Sequence, residues 1–180
     1  FNYFNTHYFA KNTLVAIAGN MSSDNVKEKV EKYFNNIREN KRVEPVETKE
    51  DQKEPRLKIE YKKTDQAHIN LGFVSYSRFH PKFEALELLS LILGGGMSSR
   101  LFVEVRHKRG LAYRVRSGAT PYNETGNFTT YAGLNNANLL EGLKVILAEH
   151  KKLTLEPVSE KELNRIKDQI RGSFVIGLDQ

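Results

Sequence analysis

The chain has 180 residues, of which 39% are hydrophobic, and its 28 basic against 22 acidic residues give a formal net charge of +6. The absence of cysteine excludes a disulfide framework, a thiolate metal site and a cysteine nucleophile. The mean hydropathy of -0.56 and the lack of an apolar run of about 18 residues argue against a membrane-embedded protein. The sequence leaves the compartment open, with the cytoplasm favoured.

Residues 1–38 predict a helix, strand, helix unit. Phe1 and Phe4 begin an aromatic stripe at helical spacing, and the continuous apolar run at 13–19 is typical of a buried strand. Ser22 or Ser23 can then cap a second helix that has one apolar face. The unit is therefore expected to have its own small core.

Residues 39–56 predict a charged linker, because 11 of these 18 residues are charged. This composition favours a solvated segment over a packed one. The linker separates the first unit from residues 57–180, which we expect to form a second domain that is truncated at its C-terminal end. Since helical patterns run up to both termini, we expect the chain to be a piece of a longer protein.

The second domain alternates apolar and polar residues at 57–62 and 67–73, which predicts strands with one apolar face each. Further patterns predict helices at 82–93 and 98–108, strands near 111–121 and 127–134, and two closing helices. One-sided strands favour an α+β fold, a two-layer α/β sandwich in which helices pack on one face of a mainly antiparallel sheet.

Two helix starts in the second domain have capping signals. Ser98 predicts an N-cap, with Met97 and Phe102 spaced as a hydrophobic staple around it. Ser159 and Glu162 have the spacing of a capping box. We therefore expect helices to begin at these two serines.

No metal or nucleophile motif is present in the sequence. The five histidines include no pair three or four residues apart, which excludes H-x-x-E-H and H-x-x-x-H zinc pairs. The glycines Gly94, Gly95 and Gly96 lack the lysine of a phosphate-binding loop, so a helix end followed by a flexible turn is the simpler interpretation.

Residues 98–116, here called the basic stretch, contain six bases and one acid. A solvated basic face and a positive wall that binds a carboxylate, a peptide backbone or a phosphate both fit this pattern. No RNA- or DNA-binding signature accompanies it, so nucleic acid is not an expected partner. Taken alone, Arg106 is typical of a surface residue, and Tyr113, which shares a strand face with Leu111 and Val115, is typical of a core aromatic.

The segments TDQAHINLGF (64–73) and LILGGGMSSRLFVEVRHKRGLAYRV (91–115) closely resemble the insulinase, pitrilysin and mitochondrial processing peptidase family of zinc metallopeptidases. Residues 1–34 are similar to the helix, strand, helix unit that closes the family's preceding domain. The family's catalytic domain binds zinc through an inverted H-x-x-E-H motif, which this sequence lacks. The resemblance implies the end of a zinc-type domain followed by the family's C-terminal-type, non-zinc-binding domain.

The resemblance also implies a function, namely the substrate-binding portion of a zinc-dependent metalloendopeptidase that encloses peptides or unfolded polypeptides in a chamber. It implies that Arg106 and Tyr113 contact substrate opposite the zinc, and that Gly94, Gly95 and Gly96 let the substrate backbone approach or let the turn flex. Arginine donors suit backbone carbonyls, and a tyrosine hydroxyl suits a developing oxyanion. Zinc is expected in the parent enzyme, whereas this fragment alone is expected to be inactive and to bind no metal.

The implied partners are a peptide or unfolded polypeptide substrate and a zinc-bearing domain of the same or a partner chain, in a homodimer or heterodimer. No membrane partner is expected. The alternative interpretation is a non-catalytic partner or scaffold subunit of the same family. Residues 1–38 are similar in kind to a unit that residues 57–180 lack, so they can complete that domain within one chain or by exchange between two.

Overall fold

The computed structural model describes residues 1–41, 43–44 and 46–178. The chain divides into two compact units, 1–47 and 48–180. The predicted linker at 39–56 includes Arg42 and Pro45, which lie outside the described residues. Its extent stays a prediction.

The described residues form five α-helices and three β-strands, and the helices lie before, between and after the strands along the chain. The helices are α1 (Asn2–His7), α2 (Ser23–Phe34), α3 (Phe83–Gly94), α4 (Leu139–Leu155) and α5 (Glu160–Leu178), and the strands are β1 (Gln66–Ser75), β2 (Ala112–Pro121) and β3 (Gly126–Asn135). Short 3-10 turns cover Ala10–Asn12 and Asn136–Asn138, and a π-helical turn covers Phe102–His107. None of the described helices combines the length and the apolar character needed to cross a bilayer.

Hydrogen bonds at the helix ends organise the first unit. The Ser22 hydroxyl accepts a hydrogen bond from the Asn25 N–H at 3.4 Å, so Ser22, and not Ser23, is the cap of α2. The Arg38 guanidinium donates to the carbonyl oxygens of Phe4 and Tyr8, each at 3.0 Å. Both carbonyls lie at the C-terminal end of α1, where a positive charge is favourable.

The strands predicted at 13–19 and 57–62 are wrong. Leu14 is 92% exposed and Leu57 is 85% exposed, and no described segment pairs with either stretch. Apolar runs and alternation show that side chains suit a strand, but a strand forms only where a neighbour takes up its backbone hydrogen bonds. Neither stretch has that neighbour in the described part of the chain.

A three-stranded antiparallel sheet in the order β1-β3-β2 is the centre of the second unit. Along β3 the side chains alternate, so that Phe128, Ala132 and Leu134 point to one face, here called the inner face, and are buried. Thr129 and Tyr131 point to the opposite, outer face. The inner face packs on the helices, and the predicted α+β fold with a one-sided antiparallel sheet is confirmed.

The core lies between the inner face and the helical elements. Leu93 of α3, Val105 of the π-helical turn and Ile146 of α4 are at most 1% exposed and pack in one cluster with the inner face. Burial of one such side chain stabilises the fold by roughly 1.5–3 kcal/mol. The helices cover most of the inner face, whereas the outer face carries exposed polar side chains.

One of the two predicted caps is present in the second unit. Ser159 accepts a hydrogen bond from the Glu162 N–H at 3.3 Å, as predicted for the start of α5. The Ser98 prediction is wrong, because Ser98 makes no cap hydrogen bond and Met97 is 80% exposed. The neighbouring Ser99 is buried, but its hydroxyl donates to the Gly96 carbonyl at 2.6 Å and therefore caps no helix N–H.

Candidate functional site

A tight turn brings Arg106 and Tyr113 together. Gly110 has φ +61, a left-handed conformation that glycine adopts without a steric penalty. The Gly110 N–H donates to the Arg106 carbonyl at 3.0 Å, and the Leu111 N–H donates to the Val105 carbonyl at 2.9 Å. These bonds end the π-helical turn and reverse the chain into β2, so two residues seven positions apart become neighbours.

A β-bulge turns Tyr113 towards solvent. Ala112 pairs with Leu134 and Arg114 pairs with Gly133, which leaves Tyr113 without a partner on β3. The extra residue interrupts the two-residue alternation, so Ala112 is buried and Tyr113 is 74% exposed. The interpretation of Tyr113 as a core aromatic, taken from alternation alone, is therefore wrong.

Arg106 and Tyr113 line the same open pocket. The guanidinium carbon of Arg106 lies 5.6 Å from the centre of the Tyr113 ring and 5.1 Å from the centre of the Phe102 ring. Contacts of this kind orient a guanidinium through its flat face and leave N–H donors available. The pocket has a volume of about 460 Å³, and its wall includes Asp65 and Gly133. A cation and a hydroxyl donor thus face one space large enough for part of a peptide.

The three predicted glycines lie outside this pocket. A Cβ on Gly94 would lie 2.3 Å from the Ser117 backbone nitrogen, so α3 ends in close contact with β2 at this point. A Cβ on Gly96 would lie 3.5 Å from the side chain of Gln169 and meet nothing closer. The structure gives Gly94 a packing role, and a substrate-contacting role for Gly94, Gly95 and Gly96 stays a prediction.

Three of the six bases in the basic stretch are paired with carboxylates. The Glu104 carboxylate lies 2.6 Å from both the Lys108 Nζ and the Arg109 Nη1, and hydrogen bonds from Lys108 and then Arg109 lower the pKa of Glu104 to about 2. Arg100 donates to both oxygens of Glu162, at 3.0 and 2.8 Å. The hydrogen bond from Arg100 holds the pKa of Glu162 below its usual value. These three bases serve local structure.

The other three bases, Arg106, Arg114 and Arg116, are exposed. Within the described ranges, no carboxylate lies within 4.0 Å of their side chains. Within the basic stretch, the positive charge that can meet a ligand therefore lies beside the start of β2 and on the outer face.

Two residues of the outer face, Tyr131 and His68, were not singled out from the sequence as partners of the basic stretch. The guanidinium carbon of Arg116 lies 5.4 Å from the centre of the Tyr131 ring, and the Tyr131 hydroxyl lies 2.7 Å from His68 Nδ1. The signal in the sequence was the alternation of Arg114 and Arg116 in a strand without acidic residues. Tyr131, the aromatic partner of Arg116, could be found only from the register of β3 against β2.

The part of the chain that the structure describes contains no cluster of three or more histidine, aspartate or glutamate side chains placed to hold a metal ion. His68 is engaged with Tyr131, and His150 Nε2 lies 2.9 Å from Thr130 Oγ1. Burial lowers the pKa of His150. These residues do not fit a zinc site.

Comparison with known proteins gives consistent matches. The chain matches the family described as the peptidase M16 inactive domain over residues 1–170. It is 34% identical over 178 residues to the uncharacterized zinc protease YmxG of Bacillus subtilis. The aligned region covers 98% of this chain and 42% of that protein. The crystal structure of a protease from Helicobacter pylori matches with a TM-score of 0.66 and 26% identity over 90% of this chain and 40% of the other. A peptidase M16 inactive domain from Pseudomonas fluorescens matches with a TM-score of 0.59 and 32% identity over 61% of this chain and 27% of the other. The chain spans about two fifths of the length of the curated relatives it matches.

Proposed function

We propose a function for this chain, which belongs to the peptidase M16 family as its inactive domain. It forms the substrate-binding, non-zinc-binding portion of a zinc-dependent metalloendopeptidase. The names of the relatives as zinc proteases support peptide-bond hydrolysis as the reaction of the whole protein. In this proposal the zinc belongs to a part of the protein outside the described residues, which hold no cluster that fits it. The substrate is a peptide or unfolded polypeptide enclosed between this domain and the zinc-bearing domain.

One observation carries the proposal, namely that Arg106 and Tyr113 share one open pocket. Arg106 is a fixed cation with five N–H donors, which suits it to hold backbone carbonyls of an extended substrate. The Tyr113 hydroxyl donates a hydrogen bond to the oxyanion that forms at the attacked carbonyl. A donor of this kind lowers the barrier by about 3 kcal/mol. The bulge supports this role, since it exposes the hydroxyl that strict alternation would bury.

Steady-state kinetics of the full-length protein with a quenched fluorescent peptide test the proposal. Tyr113→Phe removes only the hydroxyl, and we expect kcat to fall on the order of 100-fold with little change in KM. Arg106→Ala removes a substrate contact, and we expect KM to rise. Tyr61→Phe and Arg171→Ala are matched controls, because both residues are exposed and lie outside the pocket.

The zinc content of the whole protein separates the possible outcomes. It should be unchanged in the variants at Arg106 and Tyr113, because neither residue is a metal ligand in this proposal. Unchanged turnover in Tyr113→Phe would contradict its role at the reacting carbonyl. Loss of zinc in either variant would show that the pair is structural, and a full-length protein without peptidase activity would favour a non-catalytic partner subunit.

A further inference from the structure

We propose that the outer face of the sheet binds the acidic side chains of an extended peptide through Arg114 and Arg116. This inference rests on the proposed function and adds the chemical class of the substrate, which is a polypeptide with carboxylates at alternate positions. The site is separate from the Arg106 and Tyr113 pair, and its role is selection of substrate.

The charge on the sheet supports an anionic ligand. Arg114 and Arg116 are the charged residues of the three strands, which contain no aspartate, glutamate or lysine. Both arginines are exposed, and no carboxylate in the described part of the chain lies within 4.0 Å of either. Two cations on an otherwise neutral surface attract anions, because no neighbouring charge offsets their field.

The surroundings of Arg116 prepare it for a carboxylate. Its guanidinium lies over the Tyr131 ring, and the Tyr131 hydroxyl is held by His68 Nδ1 at 2.7 Å. This contact forms no hydrogen bond, so the N–H donors of the guanidinium can make two parallel hydrogen bonds with one carboxylate. Asn70, opposite Tyr131 on β1, adds an exposed amide to the same surface.

The spacing of the two arginines matches an extended peptide. Residues two apart on a strand project from the same face, so Arg114 and Arg116 are separated by about 6.6 Å along β2. An extended peptide presents every second side chain on one face with the same period. Glutamate or aspartate at alternate positions can therefore meet both guanidinium groups at once.

The sheet leaves room for the peptide beside the arginines. Gly72 and Gly118 flank Thr129 on the neighbouring strands, and a Cβ added to either glycine would meet nothing within 4 Å. The missing side chains leave a shallow trough across the outer face. An open, nearly flat surface of this kind admits a polypeptide backbone in close approach.

A nucleic acid fits this face less well than a peptide. Single-stranded nucleic acids bind through bases that stack on exposed aromatic rings. The Tyr131 ring carries Arg116, and the Tyr113 ring carries Arg106. Arginines thus lie over the aromatic rings on which bases would stack.

Fluorescence anisotropy with the full-length protein tests the inference. The probes are a labelled extended peptide with glutamate at alternate positions and its counterpart with glutamine at the same positions, both in the presence of phenanthroline to prevent cleavage. We expect the glutamate peptide to bind about tenfold more tightly, because each exposed ion pair contributes up to about fivefold. Arg114→Gln and Arg116→Gln should each weaken binding of the glutamate peptide by up to about fivefold. Binding of the glutamine peptide should stay nearly unchanged.

Arg171→Gln is the matched control, because it removes the same charge from the exposed side of α5. It should leave the preference for glutamate intact. Equal binding of both peptides would overturn the inference and leave the proposed function standing, whereas failure of both peptides to bind would contradict the two together. Tighter binding of a single-stranded oligonucleotide than of the glutamate peptide, lost in Arg116→Gln, would also overturn it.

Discussion

Substitution of Gly94 by alanine tests how closely α3 packs on β2. A Cβ at this position would lie 2.3 Å from the Ser117 backbone nitrogen, 2.6 Å from its hydroxyl and 2.8 Å from the Arg116 carbonyl carbon. Two of these three atoms belong to the backbone of β2, which is hydrogen-bonded to β3, so they cannot rotate away. The end of α3 must therefore move from β2 by about 1 Å to restore van der Waals contact.

That movement has a definite energetic cost. Leu93 is fully buried beside Gly94, and the Ser117 hydroxyl donates to the Ser90 carbonyl at 2.7 Å, so both contacts loosen when α3 withdraws. Overpacking of this kind costs about 1–3 kcal/mol. The better helix propensity of alanine offsets less than about 1 kcal/mol at a helix end. We expect a net loss of about 2 kcal/mol and a fall in Tm of about 4–8 °C.

Urea and thermal unfolding of the 180-residue chain measure this loss. Gly172→Ala is the matched control, since it makes the same substitution in α5 at a site with nothing within 4 Å of the new Cβ. The control should be as stable as the parent or up to about 1 kcal/mol more stable. Equal stability of Gly94→Ala and Gly172→Ala would refute the packing described here.

Three further perturbations have expected outcomes. Gly110→Ala should destabilise the protein by about 1 kcal/mol because φ is +61 at this position. Gly110→Asn should destabilise it less, since asparagine tolerates this conformation better. Equal losses of stability in urea unfolding would contradict a left-handed turn. Glu162→Gln should cost about 1–2 kcal/mol, because it removes the negative charge and one of the two oxygens that accept from Arg100. Because the native pKa of Glu162 is lowered, its contribution is present above about pH 4 and is lost as pH falls, so the variant should lose less stability than the parent on acidification. Burial lowers the pKa of His150, so the unfolded state binds its proton first and the free energy of unfolding falls below about pH 6.5. In His150→Gln this fall should be smaller. An equal fall in urea titrations at several pH values would contradict this.

The sequence predicts elements whose signals are local. Ser22 and Ser159 cap helices through atoms within three residues, and the alternation at 67–73 describes a strand that pairs along its length with β3. The run at 13–19 has equally good local signals, yet it forms no strand because pairing requires a partner elsewhere. The local pattern of side chains thus shows which segments can form strands. Pairing with a distant segment decides which of them do.

The candidate site shows the same division. The family resemblance, and no periodicity, pointed to Arg106 and Tyr113 as a pair. The exposure of Tyr113 depends on a bulge that only the register against β3 defines. The contact between His68 and Tyr131 is a diagonal relation between strands, which no spacing within either strand encodes.

Photo-crosslinking at position 113 tests the central claim most directly. Benzoylphenylalanine placed at Tyr113 of the full-length protein should capture an unfolded polypeptide on irradiation, whereas the same label at the exposed Tyr61 should not. The account predicts a crosslink that unlabelled peptide competes away and that Arg106→Ala weakens. Capture at position 113 no greater than at position 61 would contradict the claim that this pocket contacts substrate.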